Sequence, residues 1–261
     1  MKKIVAGICQ FDIQLGAVDA NIKRAFKGIH QLNDQGASLL VLPEMWSCGF
    51  DYPGLATHAA KTPKILDDLA RIASDNELII AGSLPEAASS GIYNTLFVID
   101  SQGKITGKYR KTHLFPLINE DRHFCAGNRP VVCQTDAGRL GLMICYDLRF
   151  PEFCRSLALG GAEMVIVCAQ WPASRIHHWD ILLQARAIEN QLFVIAANRT
   201  GLDEDLIFNG HSQVVSPTGE VLAMAGNHES TATALTDLEE IDRFRNQFNC
   251  LEQRMPSAYE L

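Results

Sequence analysis

Met164-Val165-Ile166-Val167 and its earlier counterpart Leu39-Leu40-Val41-Leu42 are apolar at every position, so neither alternates between a wet and a dry face. Successive side chains of a strand point to opposite sides, and such runs require a sheet covered on both. Helices can cover one side; the other needs a surface equally apolar.

Working outward, the segments on either side of these two runs follow one another in the same order. In the first half, residues 3 to 9 read as a buried strand, and a helix from about Asp19 carries Ile22, Phe26, Ile29 and Leu32 on one stripe. The strand from Ser38 to Leu42 follows. Thr62 as N-cap and Pro63 in the first position signal a second helix, with Ile65, Leu66, Leu69, Ile72 and Ala73 on one face. Strands at 77 to 82, 94 to 100 and 104 to 109 complete the half, the last two joined by Ser101-Gln102-Gly103.

The second half has a strand at 140 to 145, a helix from Pro151 ended by Gly160-Gly161, and a strand at 163 to 169. A helix from about His178 to Gln191, a strand at 192 to 197 and a hairpin at 211 to 225 turning on Pro217-Thr218-Gly219 follow. Even the hairpin texts echo, Phe97-Val-Ile-Asp-Ser-Gln-Gly-Lys104 against Gln213-Val-Val-Ser-Pro-Thr-Gly-Glu220. The pattern predicts an α/β fold made of two similar β-α-β-α-β-β-β halves. Their sheets pack face to face with helices outside, a four-layer α-β-β-α sandwich in a single domain over residues 1–261. A doubly wound Rossmann-like sheet competes with this arrangement, but the glycine pattern of a dinucleotide loop is absent after the first strand.

Composition narrows the partners. A formal charge of -7 with no dense run of Lys and Arg argues against a nucleic-acid partner. No stretch of about 18 apolar residues occurs, so no membrane span is expected. The eight cysteines form no C-x-x-C pair and several sit in apolar runs, which suits reduced thiols in a cytoplasmic protein. The histidines lack metal-ligand spacing on a helix, and neither a metal nor a cofactor is expected.

Chemistry is expected where strands end. Cys145 closes the run Leu140-Gly-Leu-Met-Ile-Cys145 and is followed by the charged segment Tyr146-Asp-Leu-Arg-Phe-Pro-Glu152. A helix beginning at Pro151 would aim its free N–H groups toward the sulfur and favour the thiolate. Glu44 follows Val41-Leu42-Pro43, Lys111 follows the strand ending at Tyr109, and Glu120 lies in the loop Leu117-Ile-Asn-Glu120. Taken singly, such residues read as a solvated rim acid, an exposed edge amine and a small buried hydrophobe. A cysteine-histidine dyad using His113, His178 or His211 stays open on these residues alone.

Together, Leu42-Pro-Glu44-Met-Trp, Tyr109-Arg-Lys111-Thr-His-Leu-Phe and Met143-Ile-Cys145-Tyr-Asp-Leu-Arg-Phe-Pro-Glu152 resemble the nitrilase superfamily of carbon-nitrogen hydrolases. His178-Trp-Asp-Ile-Leu-Leu-Gln-Ala-Arg186-Ala-Ile-Glu-Asn190 is also similar. Asn198-Arg-Thr-Gly201, Phe208-Asn-Gly-His-Ser212 and the tail from Arg245 to Tyr259 look most like the bacterial omega-amidase branch. The resemblance implies the four-layer fold, a homodimer to which residues 238–261 contribute, and a Glu44-Lys111-Cys145 triad supported by Glu120.

It further implies hydrolysis of the primary amide of a small α-keto dicarboxylic acid through a Cys145 thioester, with Lys111 and the backbone N–H of Tyr146 receiving the oxyanion. Deaminated-glutathione amidase, N-carbamoyl amide hydrolase and nitrilase chemistry are the alternatives, and a catalytically silent dimeric module is the non-enzymatic one. For binding, Arg175 is the candidate carboxylate anchor and Trp171 the candidate pocket wall, set against a surface ion pair and a core indole. Asp147 and Arg149 are expected to pair and fix the turn after Cys145. Loops around Trp46, Tyr52 and Phe115 are expected to shape the acyl pocket.

Overall fold

The computed structural model describes residues 3–203 and 205–258. The first half runs β1 (Lys3–Gln10), α1 (Val18–Asp34), β2 (Leu39–Val41), α2 (Leu55–Asn76), β3 (Ile79–Ala88), β4 (Gly91–Ile99) and β5 (Ile105–Arg110). A single helical turn, α3 (Glu120–His123), leads into β6 (Val132–Thr135), β7 (Gly138–Ile144), α4 (Pro151–Leu159), β8 (Met164–Ala169), α5 (Ile176–Asn190) and β9 (Phe193–Asn198). Then come β10 (Thr200–Asp203), β11 (Leu206–Asn209), β12 (Gln213–Val215), β13 (Val221–Met224), β14 (Ser230–Asp237) and α6 (Glu239–Gln247).

Two six-stranded sheets form, ordered β14-β1-β2-β3-β4-β5 and β13-β12-β9-β8-β7-β6. Each has a parallel centre, β1-β2-β3 or β7-β8-β9, extended on one side by an antiparallel hairpin and on the other by one antiparallel strand. The predicted duplication is therefore visible in the pairing. The outer strand of the first sheet comes from far along the chain, since β14 pairs with β1 from Lys3↔Asp237 to Gln10↔Ser230.

The apolar runs explain the layers. Leu39 and Val41 join Ile4, Ala6 and Ile8 on one face, in one core with Ile166, Ile195 and Val214, which share a face of the other sheet. Leu40 and Leu42 point the other way, onto Ile29, Leu32, Ile65 and Leu69 of α1 and α2. On the far face of the second sheet, Leu157 of α4 and Trp179 and Leu183 of α5 close the outer layer. Each large apolar side chain so buried contributes about 1.5–3 kcal/mol. The four-layer arrangement follows.

One boundary differs from expectation. The helix α2 starts at Leu55, not at Thr62, and holds Pro63 in its interior. Thr62 is buried and its hydroxyl donates to Pro85 O at 2.6 Å instead of capping a helix end. Leu55 and Ala59 extend the buried stripe upstream, and that packing offsets the backbone hydrogen bond that proline cannot donate.

Candidate active site

Three strand ends of the two sheets converge on one buried cluster. Glu44 stands just beyond β2, Lys111 just beyond β5, and Cys145 just beyond β7. Between Glu44 and Lys111 the contact is direct: Lys111 Nζ lies 2.7 Å from Glu44 Oε1 and 2.7 Å from Glu120 Oε2, with a third contact of 2.9 Å to Glu120 Oε1. All three side chains are at most 1% exposed. Burial works against the ammonium, but Glu120 and Glu44 outweigh it and hold the Lys111 pKa well above the ordinary amine range. Lys111 is a fixed cation.

Glu120 sits in this cluster because Asn119 adopts a left-handed conformation, φ 57°, and starts α3 with Glu120 turned inward. Its Oε2 also accepts the Phe115 backbone N–H at 2.8 Å. Burial, foremost, raises its carboxyl pKa, while Lys111 pulls it down and the Glu44 charge raises it further.

Cys145 carries a left-handed backbone, φ 46°, uncommon for a residue with a Cβ, in the turn where β7 gives way to a short 3-10 helix, Cys145–Arg149. Asp147 holds the turn by accepting the Ile144 N–H at 2.9 Å. The sulfur of Cys145 lies 3.9 Å from Gln170 O. Burial, and after it the charge of Glu44, hold the thiol well above its usual pKa, with Lys111 opposing. The expectation of a thiol lowered by a helix start changes here: the short turn separates Cys145 from α4, and the surroundings raise the thiol pKa instead of lowering it.

His113, His178 and His211 are engaged elsewhere. His113 Nδ1 lies 2.7 Å from Asp147, His178 meets Arg149, and His211 meets Asp180. None of these recorded contacts involves the Cys145 sulfur.

Two polar residues near the cluster had no assigned role on sequence alone. Asn94, fully buried in β4, donates through Nδ2 to Glu44 Oε1 at 2.8 Å and to Glu120 Oε1 at 3.1 Å. Its signal was an amide in a strand of mainly apolar residues. Gln170 donates its backbone N–H to Glu44 Oε2 at 3.0 Å and its side-chain Nε2 to Glu44 O at 2.9 Å.

Beside the cluster opens a cavity of about 500 Å3, lined by Phe50, Tyr52, Phe115, Phe208, Gln170 and Arg175 among others. Arg175 lies 5.9 Å from the Phe115 ring centroid, and no carboxylate pairs with it among the described residues. Three expectations change here. Trp171 is buried, donates Nε1–H to Arg175 O at 2.8 Å and packs on Trp179, so it is core and not a lining residue. Trp46 is likewise wholly buried, whereas Tyr52 and Phe115 do line the cavity. Arg149 does not pair with Asp147; its guanidinium lies 4.6 Å from the Trp171 ring, and Asp147 instead takes hydrogen bonds from Tyr109, His113 and Ile144.

The chain belongs to the carbon-nitrogen hydrolase family, whose model matches residues 5–246, and is a hydrolase of carbon–nitrogen bonds. It is 40% identical over 252 residues to the 2-oxoglutaramate amidase of Bacillus subtilis, covering 96% of this chain and 97% of that one. It is 36% identical over 197 residues to the omega-amidase YafV of Escherichia coli, covering 75% of each. A mutant amidase from Nesterenkonia, solved with the acetamide moiety of fluoroacetamide covalently added at its active-site cysteine, superimposes with a TM-score of 0.87. That pair is 25% identical, with 98% of this chain and 95% of the other covered.

Proposed function

We propose that this hydrolase is an omega-amidase, releasing ammonia from the terminal amide of a small α-keto dicarboxylic acid through a Cys145 thioester. The observation that carries the reading is the Lys111 ammonium held 2.7 Å from each of two buried carboxylates, beside a cysteine with a strained backbone at the same strand ends. Amidase relatives at 40% and 36% identity support the substrate class, and the cysteine adduct of the Nesterenkonia protein supports the nucleophile.

In the proposed reaction Glu44 takes the Cys145 proton as the sulfur attacks the amide carbon. Burial, and after it the Glu44 charge, raise the thiol pKa, so the sulfur needs a base to take its proton. The oxyanion is received by Lys111 and the Tyr146 backbone N–H, preorganised donors of a kind worth about 3 kcal/mol of barrier each. Glu44 passes its proton to the nitrogen, the C–N bond breaks and ammonia leaves. Glu44 then removes a proton from water, the resulting hydroxide adds to the thioester, and the C–S bond breaks. The proton returns to sulfur and the carboxylic acid departs. Glu120 keeps Lys111 charged and aimed throughout, which a buried amine requires.

Arg175 anchors the distal carboxylate as the one cation, among the described residues, of a lining that is mostly aromatic and aliphatic, with Asn119, Gln170 and Asp203 as its other polar members. No step calls for a metal or cofactor. In this reading the protein works as a single-domain homodimer to which residues 238–261 contribute; residues 259–261 of that tail lie outside the described residues.

An ammonia-release screen of the purified protein against α-ketoglutaramate, α-ketosuccinamate, deaminated glutathione, N-carbamoyl amino acids and simple nitriles tests the reading. Preference for the keto-acid amides, abolished in Cys145→Ala, is expected. Preference for a nitrile or carbamoyl compound, or turnover persisting in Cys145→Ala, overturns it.

A further inference from the structure

Arg199 is a fully buried arginine at the junction of β9 and β10. A guanidinium taken out of water is costly unless every donor finds an acceptor. Here the donors are all used. Nε donates to Thr200 O at 3.1 Å, Nη1 to Gln170 Oε1 at 3.1 Å and Asp203 Oδ2 at 3.4 Å, and Nη2 to Ile13 O at 2.6 Å and Asp12 Oδ1 at 3.1 Å.

The contact with Gln170 gives this arrangement a consequence for catalysis. A carboxamide can present either its oxygen or its nitrogen, and Arg199, a donor only, accepts one orientation. With Oε1 turned to Arg199, Nε2 must face the other way, where it donates to Glu44 O at 2.9 Å. The backbone of the same residue donates to Glu44 Oε2 at 3.0 Å and offers its carbonyl to the Cys145 sulfur at 3.9 Å. One residue thus touches the proposed base twice and the proposed nucleophile once. Its orientation is imposed from behind by Arg199.

The other side of Arg199 faces the substrate cavity. Asp203 and Phe208, on the β10–β11 hairpin, both line that cavity, and the guanidinium lies 4.5 Å from the Phe208 ring centroid.

We infer that Arg199 is a positioning residue: by locking the Gln170 amide it holds Glu44 and Cys145 in register, and it ties that register to the hairpin walling the substrate cavity. The inference rests on the proposed amidase reaction. A lysine at this position keeps the charge but cannot supply the fork that engages Gln170 and both acids at once.

The test compares wild type, Arg199→Lys, Gln170→Ala and the double variant on α-ketoglutaramate, with thermal unfolding recorded for each. Arg199→Lys and Gln170→Ala are each expected to lose about tenfold or more in kcat with little change in KM. The double variant is expected to lose no more than the worse single one, as for residues acting through one contact.

A wild-type kcat or a loss confined to KM in folded Arg199→Lys, a kcat loss that only mirrors the unfolded fraction, or additive losses in the double variant overturns the inference. Should Arg199→Lys fail to fold, Gln170→Ala decides alone by the same split between kcat and KM. Active wild type with inactive Cys145→Ala alongside an unperturbed Arg199→Lys removes this inference and leaves the amidase reading intact; inactive wild type removes both.

Discussion

The Tyr109 hydroxyl donates a 2.8 Å hydrogen bond to Asp147 Oδ2, joining the strand that leads to Lys111 with the turn that follows Cys145. Burial pushes the phenol pKa far above its usual value, so Tyr109 is a permanent donor, while its oxygen accepts the Thr112 N–H at 3.0 Å. Asp147, wholly buried, also accepts from the His113 and Ile144 backbones. Tyr109→Phe removes the link without a large void. A loss of about 1–2 kcal/mol in denaturant unfolding is expected, together with a fall in kcat at near-constant KM. If stability falls while kcat is unchanged, the link only supports the fold.

The Cys145 thiol is raised foremost by burial, then by the Glu44 charge, and lowered by Lys111. Removing either charged partner should therefore move the thiol in opposite directions. Glu44→Gln should lower the pH midpoint of Cys145 alkylation by iodoacetamide, and Lys111→Met should raise it, each followed by peptide mass spectrometry. Amide turnover should be lost in both. A midpoint moving the same way in the two variants would contradict the electrostatic account.

Arg175 lines the cavity with no carboxylate partner among the described residues, so its removal strands no buried acid. Arg175→Ala should raise KM for a carboxylated amide by about tenfold or more, the scale of one charge-assisted contact, and leave a neutral amide almost unchanged. Equal losses on the two substrates, measured as kcat/KM, would remove the anchor role.

Gly127 donates its N–H to Lys111 O at 2.8 Å, and a Cβ there would stand 2.1 Å from Arg110 O. Backbone cannot yield as a flexible side-chain tip can. Gly127→Ala should cost about 1–3 kcal/mol of stability by overpacking and reduce kcat by displacing the segment that bears Lys111. Wild-type turnover in a folded Gly127→Ala protein would show that Lys111 is held independently of this contact.

Much of the architecture was legible because its centre is buried on both faces. Leu39–Leu42 and Met164–Val167 announce the sandwich by lacking alternation, and the repeated hairpins announce the duplication. The strand β14 was not legible: Ser230-Thr-Ala-Thr-Ala-Leu-Thr-Asp237 is an outer strand, only partly buried along most of its length, so no core-facing run marks it. The start of α2 was misread because Pro63 and Thr62 imitate a helix entrance, whereas packing of Leu55 and Ala59 sets the real one. Glu44, Lys111 and Cys145 could be picked out by motif and stand just beyond β2, β5 and β7, whereas no motif marks Glu120, which reaches Lys111 from α3. Asn94, Gln170 and Arg199 could not be assigned roles, because their contributions are hydrogen bonds between segments remote in sequence, which periodicity does not encode.

Because the first strand finds its outer neighbour only in residues 230–237, with Thr236 Oγ1 donating to Ile4 O at 3.0 Å, β1 stays unzipped along one edge until those residues have been made. A growing polypeptide of this kind leaves the ribosome with one margin of its opening sheet bare. Premature termination anywhere before β14 leaves a product with an open seam inviting association with its own kind.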